Sequence, residues 1–337
     1  MAQIDDLLKL AVERGASDLH LSPGSPALAR LNGAIVPLGT EPLARDALQL
    51  MLLEIADPGA RARFEKTSEA DFAYELPGVI RARCSLYEQA RGIGGALRLL
   101  PLEIPSCHEL GLPPEAVDLV DRPFGLVILS GPPGSGRTCT EAALVDALNR
   151  TECRHIVTLE APIEFRHASR KSLVDQREIG RHTPTLAQGL RAALHADADV
   201  MAVCEPRTTE AIELALEAAS GRLVLLTWTA TSAARALGGL LAGFSGEARA
   251  RVAALIAETL VAVLGHRLVP RADGPGRTLA LELLVGTPEV AALVREQRIA
   301  ELDALREAEM DETLVGDTDA RFISLRIGTD DGLSKAA

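Results

Sequence analysis

Residues Leu126 to Leu129 form an apolar run that breaks into Ser130, Gly131, Pro132, Pro133, Gly134, Ser135 and Gly136, followed by the helix-forming stretch that opens with Arg137, Thr138 and Cys139. Glycines at 131, 134 and 136 let the backbone turn tightly and aim its N–H groups inward. The helix that follows brings its positive dipole end to the same point, so the stretch is suited to hold a phosphate chain. Thr138 stands where the pattern G-x-x-x-x-G-K-S/T needs a hydroxyl for Mg²⁺, but the position of the lysine holds Arg137. Alone, such a loop is equally an ordinary glycine-rich turn between a strand and a helix. The rest of the chain has to decide.

Nucleotide hydrolysis also needs carboxylates near the phosphates. Glu160 ends the strand-like stretch Arg154 to Leu159, and Glu205 ends the stretch Asp199 to Cys204. The turn Thr229 to Ser232 ends another, Leu223 to Thr227. If these are neighbouring parallel strands, all three lie at the carboxyl edge of the sheet, where open α/β sheets bind ligands. A glutamate just after a buried strand is most often a solvated strand end. Two on consecutive strands beside a glycine loop favour chemistry: Thr138 and Glu205 as the Mg²⁺ residues, Glu160 to orient or deprotonate the attacking water. Thr229, Thr231 and Ser232 read instead as turn or cap groups, because Ser232 directly precedes a helical run. His20, His155, His167 and His195 have no metal-ligand spacing and read as structural or surface residues.

These residues need a scaffold, and the pattern of the chain changes at Gly125. Before it, a helix over Ile4 to Ala11 closes at Gly15 and precedes a strand at Asp18 to Leu21. Strand-like residues Ala27 to Leu31 break at Asn32-Gly33. Helical stretches follow at Ala47 to Ile55 and Ala60 to Lys66, then strands at Phe72 to Leu76, Ile80 to Gln89 and Gly95 to Leu100. Residues 1–104 are thus expected to form a small α+β domain with an antiparallel sheet. Prolines punctuate 105–123, read as a semi-rigid linker. From 124 to 300 strands alternate with helices, with helices at Leu186 to His195 and Glu210 to Ala219, the grammar of a mostly parallel sheet. Residues 301–337 are acidic and expected to be in part disordered.

Composition narrows the class. A chain of 337 residues, 47% hydrophobic, can bury the cores of about two domains. A net charge of −12 argues against broad nucleic-acid binding. Cys84, Cys107, Cys139, Cys153 and Cys204 lack C-x-x-C spacing, so neither a zinc site nor a disulfide framework is indicated. Asp5 and Asp6 near the start do not fit a signal peptide, and no apolar run approaches the ~20 residues of a membrane span. A soluble intracellular protein with no integral membrane segment is expected.

Several stretches together resemble the PilT/PilU branch of the type IV pilus and type II secretion motor ATPases, over residues 1 to about 300. Gly15-Ala16-Ser17-Asp18-Leu19-His20-Leu21 and Asp71 to Gly78 are similar to that family's PAS-like domain, and Ile104-Pro105-Ser106 with Leu110 to Pro114 to its interdomain linker. Thr158 to Phe165 falls at its Asp box, Gln176 to Gly180 at the segment after it, and Asp199 to Glu205 at its Walker B strand. The resemblance implies an α/β fold: a RecA-like P-loop NTPase core with a smaller N-terminal PAS-like α+β domain. It also implies ATP and Mg²⁺, with residues 131–139 around the nucleotide. A hexameric ring is implied, homomeric or mixed with a paralogous motor, in which arginines of one subunit's N-terminal domain reach the nucleotide of another. Arg81, Arg83 and Arg98 lie in the matching strands. An inner-membrane pilus platform protein is the implied partner, and the implied location is cytoplasmic, at the inner face of the membrane through that partner.

The departures from the family pattern fall at the site itself. Besides Arg137 for lysine, the Asp-box aspartate is Ala161, the Walker B glycine is Cys204, and the His-box histidine is Thr229. An arginine keeps the charge on a longer, planar fork and can hold a phosphate without sitting in the lysine's place. Glu160, Glu164, Glu205 and Thr138 remain. The expectation is therefore nucleotide binding with impaired hydrolysis, and two readings stay open: an active retraction motor, or a degenerate ring subunit that regulates an active paralogue.

Overall fold

The computed structural model describes residues 3–270 and 277–302, with the backbone of two further strands at 311–315 and 320–325. The expectation for the acidic tail lies otherwise outside the described residues. The contacts of the chain define two compact units. The first holds the residues up to Ile104 with Glu160–Arg166 and Glu178–His182; the second holds Pro105–Leu159, His167–Arg177 and the residues from Thr183 on.

In the first unit, α1 (Asp5–Glu13), β1 (Asp18–Leu21), β2 (Leu28–Leu31), β3 (Ala34–Pro37), α2 (Arg45–Ile55), α3 (Pro58–Thr67), β4 (Glu69–Leu76), β5 (Ile80–Gln89) and β6 (Gly92–Leu100) follow in order. The strands make one antiparallel sheet of order β3-β2-β1-β6-β5-β4. Asn32 and Gly33 have φ of 48° and 90°, the paired positive values that a two-residue hairpin needs between Leu31 and Ala34. Alternation sets the buried face: Ala70, Phe72 and Leu76 of β4, and Ala82, Cys84 and Leu86 of β5, pack with Leu8 of α1 and with Leu48 and Leu52 of α2. Asp57 starts α3 by accepting the Ala60 N–H at 3.0 Å, with Pro58 in the first turn.

Arg81 breaks the apolar pattern of this unit, since it is only 7% exposed. Cross-strand pairing sets it opposite Glu75, whose carboxylate accepts its Nη1–H at 2.8 Å. Its Nε and Nη2 both donate to the Ile163 carbonyl, at 3.2 and 2.8 Å. Arg83 donates to Glu164 at 3.1 Å, and Arg166 lies 3.3 Å from Glu75. These bonds fasten the segment 160–166 within the first unit. Truncating Arg81 to alanine strips the half-buried Ile163 carbonyl of its two Arg81 donors and removes the Arg81 partner of Glu75, which is expected to cost about 2–4 kcal/mol. Thermal unfolding followed by circular dichroism checks this, as a lowered midpoint.

The second unit opens with α4 (Pro114–Val117) and a single 3-10 turn at Asp118–Asp121. Leu112, Ala116, Leu119 and Val120 of this stretch are buried in its core. Then come β7 (Gly125–Gly131), α5 (Arg137–Thr151), β8 (His155–Glu160), β9 (Leu173–Glu178), α6 (Leu186–His195), β10 (Val200–Val203), α7 (Thr209–Ala219), β11 (Leu223–Thr229), α8 (Ala233–Ala242), α9 (Gly246–Thr259), β12 (Leu260–Pro270), β13 (Arg277–Val285), α10 (Pro288–Arg295), β14 (Asp311–Val315) and β15 (Ala320–Leu325). The sheet order is β14-β15-β13-β12-β7-β11-β10-β8-β9. Strands β12, β7, β11, β10 and β8 run parallel, as the alternation of strands and helices predicts. Every residue of β7 is buried, with separate apolar clusters on the two faces of the sheet. The α/β architecture expected from the sequence is the one the chain adopts.

One boundary differs in a way that matters. Strand β11 continues to Thr229, two residues past the end that composition suggests, because Trp228 and Thr229 pair with Ser130 and Gly131 of β7. The extension carries Thr229 to the start of the glycine loop.

Candidate functional site

The loop after β7 has the geometry its sequence predicts. Gly134 and Gly136 take φ of 77° and 99°. A Cβ at Gly131 would run into Ser135 Oγ and come within 2.7 Å of the His266 carbonyl, so the loop closes on itself only because residue 131 has no side chain. Gly136 is the N-cap of α5 and offers no side-chain acceptor to the first-turn N–H groups. The positive end of the 15-residue helix lies at this loop, where it favours an anion. Ser135 Oγ is buried without a hydrogen-bond partner among the described residues. An orphaned hydroxyl, the positive end of a helix and a loop that admits no extra carbon fit a phosphate chain.

Two of the candidate residues, Arg137 and Glu205, meet at this loop through Thr229. Arg137, the first residue of α5, donates from Nη1 to Thr229 Oγ1 at 3.0 Å, across 92 residues of sequence. Thr229 Oγ1 donates in turn to Glu205 Oε2 at 2.8 Å, and the Thr229 N–H donates to Glu205 Oε1 at 3.1 Å. Glu205 lies between the end of β10 and Thr208, whose hydroxyl caps α7 by accepting the Ala211 N–H. The parallel ladder continues through Cys204, whose N–H bonds the Leu159 carbonyl at 2.9 Å, and so holds Glu205 at the carboxyl edge of the sheet. Ser232 is the N-cap of α8, accepting the Arg235 N–H at 3.2 Å, as its position before a helical run predicts. Thr229 is different: the reading of it as a turn or cap group is corrected, since its hydroxyl joins a cation to a carboxylate.

Glu160, at the end of β8, falls in the first unit. There its carboxylate accepts the Glu164 N–H at 3.4 Å and its carbonyl accepts the Ile179 N–H at 2.8 Å. Thr138 and Cys139 occupy the first turn of α5, both half-buried. Arg98 ion-pairs with Asp18 at 3.2 Å and stands opposite Arg83 on the neighbouring strand.

His266 is a residue at the loop that sequence patterning passes over. Strand β12 pairs Gly265 with Ser130, which sets His266 against the end of β7. Its Nδ1 lies 3.0 Å from the carbonyls of both Ser130 and Leu264. Burial drives its pKa down to about 4, opposed by those two carbonyls and reinforced by the Arg137 charge. The ring is therefore neutral at pH 7, with the proton on Nδ1 because both neighbours are acceptors. Nε2 has no hydrogen-bond partner among the described residues. A lone histidine in the stretch Leu264 to Leu268 matches no motif, and only the strand register reveals its place.

A parallel sheet with a glycine loop between β7 and α5, and an acidic residue at the end of a nearby strand, defines a RecA-like P-loop nucleotide-binding core. The family model described as Type II/IV secretion system protein matches residues 96–283. The chain is 39% identical over 300 residues to the type IV pilus retractation ATPase PilT of Pseudomonas aeruginosa, covering 89% of this chain and 87% of that protein. It is 38% identical over 301 residues to the uncharacterized protein YggR of Escherichia coli, covering 89% and 91%. A crystal structure of the pilus retraction motor PilT with bound ADP superposes with a TM-score of 0.79 at 35% identity, covering 91% of this chain and 90% of that one. The chain belongs to the type II/IV secretion ATPase family, in its PilT/PilU-type branch. No helix among the described residues is long and apolar enough to cross a membrane.

Proposed function

We propose that the protein is a ring-forming motor ATPase that binds ATP with Mg²⁺ and drives pilus retraction, with turnover slowed by the changes at its phosphate site. The observation that carries this reading is the retained acid Glu205, tied through Thr229 to Arg137 at the mouth of an intact glycine loop. In this reading residues 131–139 wrap the phosphates, from Gly131, Pro132, Pro133, Gly134, Ser135 and Gly136 to Arg137, Thr138 and Cys139. Thr138 and Glu205 would hold Mg²⁺, which would supply positive charge to the phosphates. Glu205 handles the attacking water, and Glu160 is the alternative residue for that role. Arg83, whose side chain is 38% exposed, is better placed to reach a neighbouring subunit's nucleotide than the buried Arg81.

The ring is a hexamer, and an inner-membrane pilus platform protein is its partner, holding it at the cytoplasmic face of the membrane. The second reading, a degenerate subunit that regulates an active paralogue, has its own support. Ala161 carries no carboxylate, and Arg137 is engaged with Thr229. ATP titration beside a steady-state ATPase assay separates the two: both bind ATP, and only the motor turns it over.

Assembly gives an independent check. Since the role proposed for Arg83 at the nucleotide requires a neighbouring subunit, light scattering should show a hexamer stabilised by Mg-ATP. A strict monomer at micromolar concentration, with and without nucleotide, overturns the ring.

A further inference from the structure

We propose that Thr229 is a latch that holds Arg137 on Glu205 when no nucleotide is bound, so that ATP must draw the guanidinium off Thr229 before its phosphates can use it. This deepens the function proposed above and rests on it. The argument begins with the proton count. A threonine hydroxyl has one hydrogen, and here it is spent on Glu205 Oε2 at 2.8 Å, so toward Arg137 the oxygen can only accept, as it does at 3.0 Å. The chain of bonds is directional, from cation through hydroxyl to carboxylate, and both charged ends strengthen the links.

Backbone register makes the arrangement stiff. Thr229 is paired with Gly131 across β11 and β7, and its own N–H holds the other oxygen of Glu205 at 3.1 Å. The mobile member is therefore Arg137, on its long side chain, rather than Thr229 or Glu205. When phosphate takes the guanidinium, Glu205 keeps both of its bonds to Thr229 and stays in place. Binding then includes the loss of the Arg137–Thr229 hydrogen bond, and removing that bond in advance favours the bound state. Arg137 and Thr229 are both departures from the family pattern, and the latch makes them one change: the arginine is long enough to reach residue 229, and residue 229 has the hydroxyl that receives it.

The test uses calorimetric titration of Mg-ATP and Mg-ADP into the full chain. Thr229→Val keeps the shape, the β-propensity and the backbone N–H but removes the hydroxyl, and Thr229→Ser keeps the hydroxyl. Losing the latch should tighten ATP binding roughly three- to tenfold in Thr229→Val, the range expected for one partly exposed hydrogen bond. Thr229→Ser should bind as the wild type does. In an Arg137→Gln background Thr229→Val should change affinity by less than about twofold, because no cation remains to be released. Unchanged or weaker binding in Thr229→Val, in a protein whose wild type binds ATP, overturns the latch and leaves the nucleotide reading standing. A gain that persists without Arg137 also overturns it. If neither the wild type nor Thr229→Val binds ATP, the nucleotide function itself fails, and the latch fails with it.

Discussion

Glu205→Gln is expected to lower ATP turnover at least a hundredfold while ATP affinity stays within about threefold of wild type. A loss of that size corresponds to about 2.7 kcal/mol of transition-state stabilisation, the scale found when a preorganised electrostatic group is removed. The amide keeps the volume of the carboxylate, and its oxygen still accepts from the Thr229 N–H or hydroxyl, so the loop between β10 and α7 should hold its shape. What the variant lacks is the negative charge, which in the proposed reading would hold Mg²⁺ and orient the attacking water. In the proposed reading ground-state binding depends mainly on the glycine loop, which the substitution leaves unchanged, and Arg137 keeps its bond to the Thr229 hydroxyl. Single-turnover hydrolysis beside an ATP titration separates the two effects. Turnover that survives in Glu205→Gln and falls in Glu160→Gln would move the role to Glu160.

Much of this site is legible in the sequence because its parts are local. The apolar run of β7, the glycines behind it and the helix that starts at Arg137 are consecutive, so strand, loop and dipole can be read together. Glu205 is legible for a related reason: a short, fully buried strand must end near the carboxyl edge of a parallel sheet. The antiparallel sheet of the first unit follows from alternation and from turn residues such as Asn32-Gly33.

The role of Thr229 is not local. It arises because β11 lies between β7 and β10, and because its pairing with β7 runs on to Gly131. Strand order is a property of tertiary packing, and no spacing along the chain encodes it. His266 escapes for the same reason, since its neighbours Ser130 and Gly131 belong to a strand more than a hundred residues earlier. Arg81 shows a third kind of limit. Alternation along β5 reaches it as one more position on a pleated face, and only the Ile163 carbonyl and Glu75 explain a buried guanidinium there. At this site the misread residues are those that depart from a local rule, which is where function is expected to override local preference.

Arg137→Lys is the substitution on which the two readings of function part, and its expected result is a rise in kcat of about tenfold for each ~1.4 kcal/mol of transition-state stabilisation recovered. In phosphoryl transfer the loop cation cradles the β- and γ-phosphates, and its charge counts most in the transition state, so a misplaced cation costs rate more than binding. Arg137 reaches Thr229 Oγ1 at 3.0 Å, and its fork is shaped to span partners, whereas a lysine concentrates the charge on one nitrogen that three phosphate oxygens can share. Thr229→His restores the other residue of the family pattern. Because residues 137 and 229 touch, the pair should be non-additive: Arg137→Lys with Thr229→His together should differ from the product of the single effects. If the protein is a regulatory subunit, Ala161 still lacks the Asp-box carboxylate, and turnover stays near background even in the double variant. A wild type that already hydrolyses ATP at a motor's rate, and gains nothing from Arg137→Lys, would instead make the arginine a working substitute whose reach toward Thr229 is part of the catalytic cycle.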